Sequence, residues 1–220
     1  MRYEKQTISE QIVASLRKAI VLQEYQEGDP LVESELSKAL GVSRGPIREA
    51  FHQLESENLV TKRTNGRTIV NRFTEVDIAN LYDSRILIEK HAIATSSAEH
   101  IQEAVQKLTA CIHDMEQSFE LNQRNVSADL RFHQLIVSTA NNKTLLQLWK
   151  SLKAMFTTLI DITSEVSFSD QREVIELHKE MVEAMANQDL HFAQQLLEKH
   201  LIEARNYCII GVNQVKEMKK

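Results

Sequence analysis

Turn-forming residues are scarce: five glycines and two prolines serve 220 residues. That is too little turn chemistry for an all-β chain, and a mostly helical protein is expected. The two cysteines, Cys111 and Cys208, stand apart with no CxxC spacing. This argues against a zinc knuckle or a redox pair and leaves two reduced, structural thiols. No long apolar run is present, so nothing reads as a membrane span. The first residues, MRYEKQTISEQ, carry charge where a secretory signal needs an apolar stretch, and the cytoplasm is the expected location. What is there, 42% hydrophobic and 26% charged residues, is ordinary for a globular chain, and the length suits two domains.

A surplus of positive charge is also missing, since the formal net charge is -5. The acidity is uneven, however. Residues 1–74 hold 11 Lys+Arg against 10 Asp+Glu, a net of +1, and residues 75–220 hold 15 against 21, a net of -6. Between Asn58 and Thr74 stand Lys62, Arg63, Arg67 and Arg72 with no acid. Such a local basic stretch can face a phosphate backbone.

Apolar residues recur at three- and four-residue steps from Ile8 to Leu22, the stripe of an amphipathic helix, which ends in a loop at residues 26–30. A short periodic segment from Glu33 to Leu40 is stopped by Gly41. Ser43 is an N-cap candidate for a further helix from Arg44 to Glu57. Helix, tight turn, helix is a helix-turn-helix outline. Leu59-Val60-Thr61 and Thr68-Ile69-Val70 then flank an Asn65-Gly66 turn, a hairpin signal because both turn residues tolerate positive φ. A basic-tipped hairpin in that place is a wing. Beyond Thr74 only helical periodicity remains, with six helices expected at 74–98, 101–121, 124–140, 143–166, 170–186 and 189–214. Thr74 and Asp189 are cap candidates for the first and last of them.

Residues 40–60, LGVSRGPIREAFHQLESENLV, carry their own logic. Pro46 falls in the first helical turn, where its missing N–H costs nothing. Arg44 and Arg48, at i and i+4, leave one face that a major groove can accept; the alternative is that they solvate the helix or pair with Glu49 and Glu55. The segment closely resembles the recognition-helix signature of the GntR family of bacterial regulators, with Leu40, Gly41, Val42, Ser43, Arg44, Pro46, Arg48, Glu49, Ala50, Leu54, Leu59 and Val60 all in register. It departs at Asn58, where glycine is usual, and Asn is the next-best residue for a left-handed helix terminus. The resemblance implies that Arg44 and Arg48 contact bases and phosphates, that Ser43 and Gly45 lie against the DNA backbone, and that Gly66 and Arg67 bring the wing to the minor groove.

Asp129 and His133, at i and i+4, project from one helix. His178 lies nine residues before the turn at Asn187–Asp189 and His200 eleven after it. At ~1.5 Å per residue these are ~14 and ~17 Å down two antiparallel helices, so the rings can reach one level. Spacing alone fits either core histidines or a divalent-metal first shell with open positions. The pattern resembles the helical ligand domain called FCD, carried by the FadR-like branch of the GntR family, and six helices in its shorter, VanR-like form. That resemblance implies that Asp129, His133, His178 and His200 bind a metal, commonly zinc or nickel, which holds an effector carboxylate. Tyr82–Glu89 looks like the R-x-x-x-E helix of such domains, with Arg85 as the effector contact; a structural pair between Arg85 and Glu89 is the alternative. His52, His91, His100, His113 and His191 are assigned to surface or packing.

The expected fold is mainly α: a winged helix-turn-helix over 1–73 and an antiparallel six-helix bundle over 74–220 that senses the effector and dimerises. The expected function is that of a cytoplasmic homodimer binding a pseudo-palindromic operator in double-stranded DNA, a repressor in the first instance, under the control of a small organic acid or sugar acid. Two other readings are a metalloenzyme and an architectural DNA binder. The first lacks a further carboxylate or nucleophile at a spacing that would set a general base beside the site. The second leaves the His/Asp set without a purpose, so no enzymatic activity is expected.

Overall fold

The computed structural model describes residues 7–164 and 171–219. The chain divides into two compact units, one made of Met1–Glu75 with Lys216–Lys220 and the other of Val76–Val215. No helix among the described residues is long and apolar enough to cross a membrane.

In the first unit, helix α1 (Ile8–Val21) begins at a reciprocal cap in which Thr7 accepts from Glu10 N–H and Glu10 accepts from Thr7 N–H. It is followed by strand β1 (Pro30–Leu31), helices α2 (Glu33–Leu40) and α3 (Arg44–Ser56), and strands β2 (Val60–Lys62) and β3 (Thr68–Val70). Gly41, at φ 65°, ends α2 in the left-handed conformation. Ile12, Leu16 and Ile20 of α1 join Ile47, Phe51 and Leu54 of α3 in the core. Arg17 donates from Nε and Nη2 to both carboxylate oxygens of Glu57, each at 2.7 Å, in a largely buried pair that ties α1 to the end of α3. Asn58 does take the left-handed conformation, φ 57°, as the sequence suggested. Leu59 N–H then bonds the Leu54 carbonyl and Asn58 N–H the Glu55 carbonyl, which closes the helix.

The sheet corrects two expectations. It has three strands in the order β1-β3-β2, all antiparallel, because part of the expected loop after α1 pairs at the edge as Pro30↔Ile69 and Leu31↔Thr68. Proline is tolerated there as the first residue of an edge strand. The hairpin turn has only Gly66 at positive φ. Gly66 N–H bonds the Arg63 carbonyl, Arg63 N–H bonds the Arg67 carbonyl, and Asn65 Oδ1 accepts from Arg67 N–H at 3.1 Å. Asn65 thus serves the turn through its side chain while glycine alone takes the left-handed residue.

The second unit is built from α4 (Glu75–Thr95), α5 (Ala98–Glu120), α6 (Val126–Thr139), α7 (Lys143–Thr163), α8 (Gln171–Ala186) and α9 (Leu190–Met218), the six helices expected. The junction of the first two falls earlier than expected because Ser97 accepts from His100 N–H and caps α5. Asn125 and Asn142 cap α6 and α7, and Asp189 Oδ1 accepts from Phe192 N–H at the start of α9. The expected end of α7 at 166 and start of α8 at 170 lie outside the described residues. Helix α9 runs past 214 to Met218, since no breaker follows. The core gathers Trp149, Phe156, Leu130 and Val137.

Gly211 lets α9 approach α7 closely: a Cβ there would stand 2.7 Å from Thr163 Cγ2 and 3.0 Å from its Cβ. Thr163 is fully buried and cannot swing aside. Gly211→Ala gains about 1 kcal/mol of helix propensity but adds about 1–3 kcal/mol of overpacking. A net loss on the order of 1 kcal/mol is expected in urea unfolding, and a rise in stability would show that the contact is soft.

Candidate functional site

Four side chains from three helices of the second unit converge. Helix α6 supplies Asp129 and His133, α8 supplies His178 and α9 supplies His200. All four are buried, and one potential ligand atom from each lies within 4.8 Å of every other. His178 Nε2 is 3.5 Å from Asp129 Oδ1 and 3.4 Å from His133 Nε2. The His200 ring stacks on His133 at 5.2 Å and 9°.

Hydrogen bonds behind the rings determine which nitrogens face inward. His178 Nδ1–H donates to the Val174 carbonyl at 2.6 Å, leaving Nε2 with its lone pair toward Asp129. His133 Nδ1 meets Glu89 Oε2 at 2.6 Å, and Glu89 Oε1 accepts from Arg85 Nε and Trp149 Nε1, each at 2.7 Å. Both oxygens of this fully buried carboxylate are therefore engaged. Sequence spacing had suggested no carboxylate near the site beyond Asp129. Glu89 is there, but it orients His133 and is not a free base.

Burial holds the imidazoles of His133 and His200 well below the ordinary histidine range, and that of His178 below it as well. Burial alone would raise the Asp129 carboxyl, yet His133, His178, Arg124 and Arg85 around it hold it below its usual value. Neutral imidazoles and an ionised carboxylate, with donor atoms this close, are what a divalent zinc- or nickel-like ion requires. The residues fit such an ion.

These shifts carry a consequence for the metal-free protein. In the unfolded chain the three histidines titrate near ~6.5; folded, they stay neutral to lower pH. Below ~6.5 the unfolded state therefore binds more protons, and stability falls as pH drops through the depressed folded values. Urea midpoints of chelator-treated protein should decline between pH 7.5 and 5.5, and a flat profile would contradict the buried, neutral triad.

Arg85 is 1% exposed and lies over the Phe156 ring at 4.7 Å. Burial opposes its charge, but Glu89 and Asp129 outweigh that and it stays protonated. The two sequence alternatives for it are not exclusive. Nε is committed to Glu89, while Nη2 is buried with no hydrogen-bond partner among the described residues. Next to the cluster lies a cavity of about 180 Å³ whose lining includes His200, Tyr82, Tyr207, Arg124, Glu173 and Glu203. Sequence reasoning did not name Arg124, which was expected as the first residue of a helix at 124 but lies in the connection before Asn125 caps α6. His52, His91, His113 and His191 are exposed and His100 is half-buried, and none joins the cluster.

In the first unit, Ser43, Arg44, Gly45 and Arg48 are exposed along the start of α3, and Gly66 and Arg67 are exposed at the hairpin tip. Ser43 occupies the N-cap position but makes no side-chain cap bond, so its hydroxyl is available to another partner. Arg48 Nε meets Glu33 Oε2 of α2 at 2.8 Å, neither of the partners the sequence suggested. A cleft of about 330 Å³ between α3 and the hairpin is lined by Arg48, His52, Lys62 and Gly66 among others.

The family model described as "Bacterial regulatory proteins, gntR family" matches residues 8–70, and that described as "FCD domain" matches residues 80–203. The chain is similar to the gluconate operon transcriptional repressor of Bacillus licheniformis, 25% identical over 81% of this chain and 75% of the relative. It is also similar to the galactonate operon transcriptional repressor of Escherichia coli, 25% identical over 85% and 90% of the two chains. Among solved structures, Lar, which controls expression of the Listeria monocytogenes agr system, superposes with a TM-score of 0.71 at 20% identity, covering 94% of this chain and 98% of the other.

Proposed function

Because this chain belongs to the GntR family of bacterial regulators and carries the FCD domain, we propose that it is a homodimeric repressor whose operator binding is controlled by a small organic acid at a metal site. The family is one of regulators, not enzymes. The observation that carries the acid-sensing part is the buried Asp129, His133, His178 and His200 set together with a buried Arg85 whose Nη2 has no hydrogen-bond partner among the described residues. Four ligands of this kind would leave a position open on a divalent ion that takes five or six ligands.

The four side chains would hold the ion, which when bound supplies a Lewis-acidic anchor for one carboxylate oxygen. Arg85 donates Nη2–H to the acid, a charge-assisted bond in a site where water is scarce. Glu89 keeps His133 in the Nδ1–H tautomer, and the Val174 carbonyl does the same for His178. Two relatives named for gluconate and galactonate operons support both repression and sugar acids as the effector class.

On the DNA side, Arg44 and Arg48 read the major groove, Ser43 and Gly45 lie against the backbone, and Gly66 with Arg67 enter the minor groove. The domains are taken as 1–73 for DNA and 74–220 for sensing and dimerisation. A two-fold dimer then demands a two-fold site. Selection from random duplex DNA tests this: enrichment of an inverted repeat supports the reading, and retention of DNA without sequence preference contradicts it.

A further inference from the structure

The cleft of about 330 Å³ between α3 and the hairpin separates the two elements assigned above to different grooves. In B-form DNA a major groove and the minor groove beside it are divided by one sugar–phosphate strand. A helix in the first and a hairpin in the second must straddle that strand, and the cleft between them is where it passes.

Side chains tie the two walls of this cleft together. Glu55 of α3 accepts from Lys62 N–H of β2 at 3.2 Å through Oε1. Its other oxygen, Oε2, stands 4.0 Å from Nδ1 of His52, three residues earlier on the same helix. The two attract when the imidazole is charged, and Nε2, on the other edge of the ring, is left for a further partner. His52 follows Arg44 and Arg48 at four-residue steps, and all three are exposed along one stripe of α3. The Lys62 ammonium has no hydrogen bond or ion pair among the described residues.

The charges that line the cleft with His52 come from three elements: Glu33 on α2, Arg48 and Glu55 on α3, and Lys62 on β2. The hairpin turn and β3 bring only Gly66 and Thr68. Two cations against two carboxylates leave no net charge. Both carboxylates are already engaged, Glu33 with Arg48 at 2.8 Å and Glu55 with Lys62 N–H. A phosphate entering this balanced cleft brings a negative charge, which favours the charged form of an imidazole beside it. Histidine is the side chain that can supply that charge near neutral pH.

We propose that the cleft seats the operator's sugar–phosphate strand, with Lys62 and a protonated His52 as its phosphate contacts, so that operator binding takes up a proton at His52. This rests on the DNA-binding reading above. It gives contacts to two residues outside the groove-reading set, and a pH dependence that arginines, charged throughout, do not produce.

Fluorescence anisotropy of the full-length, zinc-loaded protein without acid tests it. The probes are a duplex enriched by selection and a scrambled duplex, near pH 6.5 and pH 8 and over a series of salt concentrations. The wild-type Kd for the enriched duplex should rise roughly fivefold or more between the two pH values, since the bound state holds the proton more tightly than the free one. His52→Gln should lose most of that rise and weaken binding near pH 6.5 by roughly tenfold. Lys62→Gln should weaken both duplexes alike and lower the salt slope by about one per protomer. A wild-type Kd indifferent to pH, or a rise that persists in His52→Gln, overturns the proton uptake. Wild-type affinity and salt slope in Lys62→Gln overturn the phosphate seat while the groove contacts stand. Failure of the wild-type protein to prefer the enriched duplex removes the groove assignment, and this inference with it.

Discussion

Replacing His178 with alanine is expected to lower zinc affinity by roughly a hundredfold or more, since even residues behind a metal ligand change affinity 10–100-fold. His178 stands at the middle of the cluster: its Nε2 lies within 3.5 Å of both Asp129 Oδ1 and His133 Nε2. The loss should also appear in stability. An ion bound only by the folded state and present at ~1,000 times its Kd stabilises by about 4 kcal/mol, on the order of 10 °C for a chain this long. Zinc should therefore raise the wild-type Tm by about that much and leave His178→Ala nearly unmoved. His191→Ala is the control, because His191 lies on the same helix as His200 but is exposed and hydrogen-bonds Gln195 outside the cluster. Glu89→Gln should fall between the two, keeping the ligands but loosening the hold on His133. Equal zinc shifts in wild type and His178→Ala would place the metal elsewhere.

Arg44→Ala and Arg48→Ala should together abolish measurable operator binding. Each arginine that makes a good bidentate base contact is worth about 1–3 kcal/mol, so the pair spans roughly two to four orders of magnitude in Kd. Loss of a phosphate contact would in addition lower the salt slope by about one. Glu33 adds a sign test. Its carboxylate occupies Arg48 in the free protein, but Arg48 is exposed and Glu33 only half-buried, and such a surface pair is worth at most about 1 kcal/mol. Glu33→Gln should accordingly tighten operator binding by up to about fivefold. Weaker binding in that variant would mean that Glu33 holds Arg48 in position and does not compete for it.

Features written in consecutive residues were readable without coordinates. The run from Leu40 to Val60 contains its turn, cap, proline and arginines in fixed order, and the left-handed Asn58 could be named from it. Asp129 and His133 share a helix face by spacing alone, and counting from the Asn187–Asp189 turn put His178 and His200 at one level. What escaped depends on residues far apart in the chain. The edge strand at Pro30–Leu31 is too short for a pattern and exists only because β3 is there to pair with it. Glu89 stood in view as a partner for Arg85, but its bonds to His133 and Trp149 span 44 and 60 residues. The Arg48–Glu33 pair and the place of Arg124 in the cavity lining are likewise tertiary facts. Ser97 was a local signal outweighed by the periodicity around it, which placed the α4–α5 junction too late.

The central claim is that an acid acts on DNA binding through the Asp129, His133, His178 and His200 site. Fluorescence anisotropy of a selected operator duplex, titrated with zinc-loaded protein with and without the acid that binds best in calorimetry, tests it most directly. In wild type the acid should weaken operator binding about tenfold or more, a coupling of ~1.4 kcal/mol. In His178→Ala, operator affinity without acid should be unchanged and the acid should have no effect. An acid response that survives in His178→Ala would contradict the account.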